Sequence, residues 1–182
     1  QNYKLIYGLI KKIKPDEIYN FLGPSDKILF EKSPNYYFKR DFLCNLNTLE
    51  SVRQLGFKTK IFYSSSSEVF GSIKRIVKED SPRIISNNYS LTKNINETII
   101  NYYRKFYSIN ACYGILFNHD SKYRKDKFIY KILYNYFKIK NFSKPLKINN
   151  INDEKFRSNA YIIVKVIWKI LNNKVTNNYI IS

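Results

Sequence analysis

The chain has 182 residues, 44% of them hydrophobic, which is a globular composition long enough for one domain with a sizeable core. Its net charge of +18 comes from 32 basic and 14 acidic residues, but 25 of the basic residues are Lys and they form no run of five. With Asn, Ile and Tyr abundant and only two Ala, this reads as dispersed solvated charge in a compositionally biased chain, not as a clustered nucleic-acid patch.

No apolar run reaches the roughly 18 residues of a membrane span, and no leader pattern opens the chain. A soluble cytoplasmic protein is therefore expected, with neither a membrane nor a nucleic acid as partner. The two cysteines, Cys44 and Cys112, fall in segments that read as core helix and core strand, so buried thiols are expected. No Cys/His cluster has metal-ligand spacing, and no metal is expected.

In chain order, Leu5, Ile6, Leu9, Ile10 and Ile13 recur at helical spacing until Pro15. Glu17 to Leu22 reads as a strand, closed by the turn Gly23-Pro24-Ser25. Ser33-Pro34 opens a helix with Ser as cap and Pro at the permitted first position. Its stripe runs through Phe38, Phe42, Leu46, Leu49 and Val52, and Gly56 stops it.

Residues 61–65 form the next strand, β-branched and aromatic, which breaks into the hydroxyl run Ser64 to Ser67 followed by Glu68. That is the pattern of a buried strand whose carboxyl end opens into a polar crevice, where open α/β sheets place their chemistry. A polar connection through Glu79-Asp80-Ser81-Pro82 leads to a helix opened by Tyr89, with Leu91, Ile95, Ile99, Tyr102 and Phe106 as its apolar contacts. Ala111 to Phe117 is continuous and apolar, as a buried parallel strand should be.

Beyond it we expect a charged loop over Ser121–Lys127, a helix over Phe128–Ile139 and a short strand over Leu146–Ile148. A helix over Ala160–Leu171, carrying the single Trp, and a closing strand over Tyr179–Ile181 complete the chain. Strands alternating with helices indicate an α/β fold with a parallel sheet and crossover helices.

The chemistry concentrates in one spacing. Tyr89 and Lys93 are four apart, so a helix puts them on one face, one turn from each other. An ammonium near a phenol favours the phenolate and makes the pair a candidate proton-transfer device.

Four segments in order give that spacing its context: Pro15-Asp16-Glu17-Ile18-Tyr19-Asn20, Ser65-Ser66-Ser67-Glu68-Val69-Phe70-Gly71, Tyr89 through Lys93, and Ala111 through Ser121. Together they resemble the extended short-chain dehydrogenase/reductase superfamily, and within it most closely the GDP-mannose 4,6-dehydratase family. The resemblance implies a Rossmann-like sheet, truncated at its N-terminus, over residues 1–120 as a partial cofactor and catalytic domain. Residues 121–182 would be part of a smaller substrate-binding region with the closing strand.

It further implies an NADP-dependent lyase acting on GDP-mannose or a related nucleotide sugar, as a homo-oligomer. Tyr89 would take the C4 hydroxyl proton, Lys93 would lower the Tyr89 pKa and bond the cofactor ribose, and Glu68 would remove the C5 proton. Ser66, where the family usually has Thr, would assist loss of the C6 hydroxyl. Gly23, Ser25, Tyr36, His119 and Arg124 would contact the cofactor, and Asn118 the substrate.

The chain also departs from the family pattern. The glycine-rich pyrophosphate turn has no counterpart among its five glycines, Asn87-Asn88 replace Ser-Pro before the Tyr, and Lys155 to Asn159 replace a substrate-orienting Arg segment. The alternative expectation is a catalytically inactive remnant that keeps the fold as a subunit-interaction module.

Overall fold

The computed structural model describes residues 2–23, 32–72, 76–121, 123, 157–174 and 176–182. The expected helix Phe128–Ile139 and strand Leu146–Ile148 lie outside these residues. Four strands, β1 (Glu17–Asn20), β2 (Lys60–Ser66), β3 (Ala111–Leu116) and β6 (Tyr179–Ile181), form one parallel sheet in the order β1-β2-β3-β6. In register, Ile18 pairs with Ile61, Ile61 with Ala111, and Gly114 with Tyr179. A second, two-stranded parallel sheet pairs β4 (Asn118–Asp120) with β5 (Arg157–Asn159).

Helices cover both faces, as parallel strands joined by crossovers require. Helices α1 (Tyr3–Ile13), α2 (Pro34–Leu55) and α3 (Asn88–Tyr107) are on one side, where Leu49, Val52, Ile61, Ile100, Ala111 and Ile115 pack together. Helix α4 (Ala160–Leu171) is on the other, burying Ile163, Ile167 and Leu171 against Phe62, Cys112 and Ile181. Both cysteines are free thiols, and burial pushes that of Cys112 up to about 11.

Local chemistry sets the element ends. The side chain of Asn2 accepts from the Lys4 amide at the start of α1, and Lys14 turns left-handed ahead of Pro15. Asn87 and Ser90 form a reciprocal capping box on α3. Gly56, in the left-handed region with φ 65°, ends α2 as expected. Ser33 precedes Pro34, but its side chain makes no capping bond, because its backbone is not in the extended conformation that aims a cap at the first turn. Strand β1 ends at Asn20, two residues early, where the Asn20 side chain accepts from the Leu22 amide and turns the chain.

One expectation fails informatively. Tyr102 and Phe106 are 47% and 60% exposed, and the buried residues of α3 are Ser90, Thr92, Lys93, Asn96, Glu97, Ile100 and Tyr103. The buried face of α3 is polar over its first turns, so an apolar stripe read from sequence locks onto the wrong side. Helix α2 does the same with Asp41, Asn45, Thr48 and Ser51, and Asn45 donates to Asn96 across the interface at 2.8 Å. Two helices facing each other through amides and charges are a costly way to build a core, which points to the sheet end they cover.

Candidate active site

The carboxyl ends of β1 and β2 meet the first turns of α3. There Ser66, half-buried, accepts from the Glu68 amide at 3.3 Å and caps a short 3-10 turn, Ser67–Phe70, that packs against α3. Glu68 is half-buried on that turn.

Lys93 is 3% exposed. Its ammonium donates to Tyr63 Oη and to the Ser64 carbonyl, both at 3.0 Å, and is 3.1 Å from Asp41 Oδ2. The Tyr63 hydroxyl in turn donates to Asp41 Oδ1 at 3.0 Å. Asp41 and Tyr63 are both fully buried.

Gly23 closes this cluster from above. Its φ is +128°, and a Cβ there would be 2.8 Å from Asp41 Oδ2 and 3.4 Å from Lys93 Nζ. Both the backbone angle and the close approach exclude a side chain. Nearby in the chain, Asn20 Nδ2 is buried with no hydrogen-bond partner, a donor at a strand end of the kind a ligand satisfies.

Tyr89 is half-buried, one turn before Lys93, with the ammonium 5.6 Å from its ring centroid and 4.6 Å from that of Tyr63. Two phenols thus flank one ammonium. Burial, and then the charge and hydrogen bond of Asp41, push the Tyr63 hydroxyl well above its usual range and hold it protonated.

A second buried carboxylate sits one turn further along α3. Glu97 accepts from Ser65 on β2 and from Arg83 Nε at 2.8 Å, while Arg83 also donates to the Ser81 carbonyl at 2.7 Å and stacks on Phe70 at 4.8 Å. This clasp ties the 76–86 connection to the sheet end. Burial raises the Glu97 pKa above its ordinary 4.5, against the lowering effects of Ser65 and Arg83.

A folded chain that binds this proton more tightly than the unfolded chain is favoured below pH 4.5 and loses that contribution as pH rises through the folded value. Glu50, held at about 2 chiefly by its bonds to Arg53, acts in the opposite direction below 4.5, so the comparison belongs above it. We expect Glu97→Gln to flatten the fall of Tm from pH 4.5 upward; superimposable profiles would refute this.

The remaining sequence-predicted residues are dispersed. Tyr36, on the first turn of α2, is 55% exposed with its ring edge-on to Tyr37. His119, half-buried on β4, has its Nδ1 3.0 Å from the Phe117 carbonyl, and Asn118 is exposed. The pairing of β4 with β5 sets Asn118 and His119 opposite Arg157 and Ser158. Ser25 and Arg124 lie outside the described residues. Asn20, Asp41 and Tyr63 were not anticipated as site residues; the signal in sequence was an Asp and an Asn on the face of α2 that also carries Leu49 and Val52.

Among the described residues no three His, Cys, Asp or Glu side chains cluster as a metal site, and no helix is long and apolar enough to cross a membrane.

The family model described as GDP-mannose 4,6 dehydratase matches residues 1–182. The GDP-mannose 4,6-dehydratase of Vibrio cholerae serotype O1 is 32% identical over 196 residues, covering 100% of this chain and 52% of the relative. That of Dictyostelium discoideum is 29% identical over 189 residues, covering 97% and 51%. The chain thus spans about half the length of these curated relatives.

Among solved structures, the UDP-glucose 4-epimerase of Thermotoga maritima with UDP-glucose superposes with a TM-score of 0.84 at 11% identity, covering 99% of this chain and 59% of that one. RMD from Pseudomonas aeruginosa complexed with NADPH gives 0.81 at 17% identity, covering 92% and 60%. These likenesses show the Rossmann-type fold of the sheet. The family-model match over the whole chain, joined to these curated relatives, shows that this chain belongs to the GDP-mannose 4,6-dehydratase family.

Proposed function

We propose that this chain carries the proton-transfer machinery of an NADP-dependent GDP-mannose 4,6-dehydratase. The observation that carries this reading is the bond from Lys93 to the Ser64 carbonyl. It ties the helix bearing Tyr89 to strand β2, whose end leads through Ser66 into the turn bearing Glu68.

The described residues fit the nicotinamide-ribose end of a dinucleotide. Gly23 lets the backbone come close, Asn20 offers a buried donor without a partner, and the Lys93 amino group is buried beside Gly23. No glycine-rich phosphate turn lies among them. A nicotinamide bound there would supply the hydride-transfer chemistry that the residues themselves lack.

The chain's own residues handle protons. Tyr89, one helical turn from the Lys93 ammonium, takes the proton of the sugar C4 hydroxyl. The resulting C4 ketone acidifies C5, and Glu68 takes that proton. The C6 hydroxyl, hydrogen-bonded by Ser66, takes up the proton held by Glu68 and departs as water. A phenol and a carboxylate in different surroundings separate the two proton transfers.

The test is incubation with GDP-mannose and NADP⁺ in deuterated water, read by mass spectrometry and NMR. The expected product has lost one water and carries deuterium. Glu68→Gln and Tyr89→Phe should each slow its formation by about 10²–10⁴-fold, the usual worth of a general base. Product formation unchanged in both variants would overturn the assignment of roles.

A further inference from the structure

A lysine ammonium has three N–H donors and, when buried, needs both a counter-charge and acceptors. In this site two donors are used on Tyr63 Oη and the Ser64 carbonyl. The third faces Asp41 Oδ2 at 3.1 Å, near enough for an ion pair, yet that oxygen has no hydrogen bond of proper alignment. Asp41 therefore supplies charge more than a directed bond.

Tyr63 completes the arrangement because a hydroxyl can accept from Lys93 while donating to Asp41. A Phe at this position would leave Asp41 Oδ1 and the ammonium each one partner short.

We propose that Asp41 and Tyr63 are positioning residues for Lys93: Asp41 is the counter-ion that keeps the buried ammonium charged, and Tyr63 is the bridge that fixes where it points. They come from α2 and β2, elements outside the Tyr89–Lys93 spacing, and neither needs to touch a substrate. Among the described residues four titratable groups face the ammonium: Asp41 from α2, Tyr63 from β2, and Tyr89 and Glu97 from α3. Of the turn after β1, the described residue that approaches the ammonium is Gly23.

The consequence for Tyr89 rests on the dehydratase reading, but the claim about Lys93 does not. A neutral Lys93 could no longer favour the Tyr89 phenolate, so losing Asp41 would silence the base without touching it.

The experiment follows the Lys93 side chain by NMR of protein carrying labelled lysine, with Lys93→Arg to identify its resonance, in wild type, Asp41→Asn and Tyr63→Phe. In Asp41→Asn the Lys93 titration midpoint should fall to roughly one to three pH units below the ordinary lysine value of about 10.4, because a buried ammonium without its counter-ion gives up its proton. If Asp41 merely holds the fold together, its loss would expose Lys93 and bring the midpoint to that of an ordinary lysine, about 10.4. Either that result or no change overturns the proposal.

Should Asp41→Asn fail to fold, Tyr63→Phe decides. It keeps the ring and the counter-ion, and a smaller fall in the same direction is expected; an unchanged midpoint overturns the bridge and with it the proposal. Failure of the dehydratase reading would appear instead as absent product with the Lys93 titration behaving as described.

Discussion

Asp41→Ala should destabilise the folded chain by about 3–5 kcal/mol, the usual cost of stranding one partner of a buried ion pair. Asp41 and Lys93 are 0% and 3% exposed, so neither charge can turn to water for relief. The loss is compounded because Tyr63 Oη would lose its acceptor. Urea unfolding measures it.

The double variant Asp41→Leu, Lys93→Met removes both charges and should recover most of the loss, since apolar replacement of a buried pair is often close to neutral. Such a result would show that the pair is retained for chemistry and not for stability. A single-variant loss below about 1 kcal/mol would mean that the ammonium is screened by water.

Gly114→Ala is the second large effect. Gly114 pairs with Ser64 on β2 and Tyr179 on β6, and a Cβ there would be 2.6 Å from Ile181 Cδ1 and 2.8 Å from Phe62 Cζ. Real Cβ atoms do not approach so closely, and Phe62 is itself fully buried between the sheet and α4. Overpacking of this kind costs about 1–3 kcal/mol.

Ile181→Val deletes the Cδ1 atom that the new methyl would strike. Combined with Gly114→Ala it should restore part of the loss, as a non-additive double-mutant cycle read from Tm or urea midpoints. Strict additivity would show that the clash is relieved elsewhere.

Much of the architecture was legible in the residues. The closing helix Ala160–Leu171 and strand Tyr179–Ile181 have the bounds that their apolar runs set, and α2 stops where Gly56 requires. Periodicity works where the buried face is apolar. It misplaced Tyr102 and Phe106 because the sheet end it covers is lined by Lys93, Asn96 and Glu97, which no hydropathy pattern marks as buried.

The short strands β4 and β5 were missed for a different reason. Three residues give no period to count, and their pairing depends on 36 intervening residues. The site itself was half legible. Tyr89 and Lys93 are linked by helical spacing within one segment, whereas Asp41 and Tyr63 reach the same ammonium from 52 and 30 residues away, so only the fold reveals them.

The most direct test of the central claim is calorimetric titration of NADP⁺ into this chain, beside the Tyr89→Phe, Lys93→Ala double variant. If the ends of β1 and β2 form a nicotinamide-ribose site with Lys93, binding should be saturable and weakened at least about tenfold in the variant, or about 1.4 kcal/mol. No binding at millimolar cofactor, or equal binding by both proteins, would contradict it.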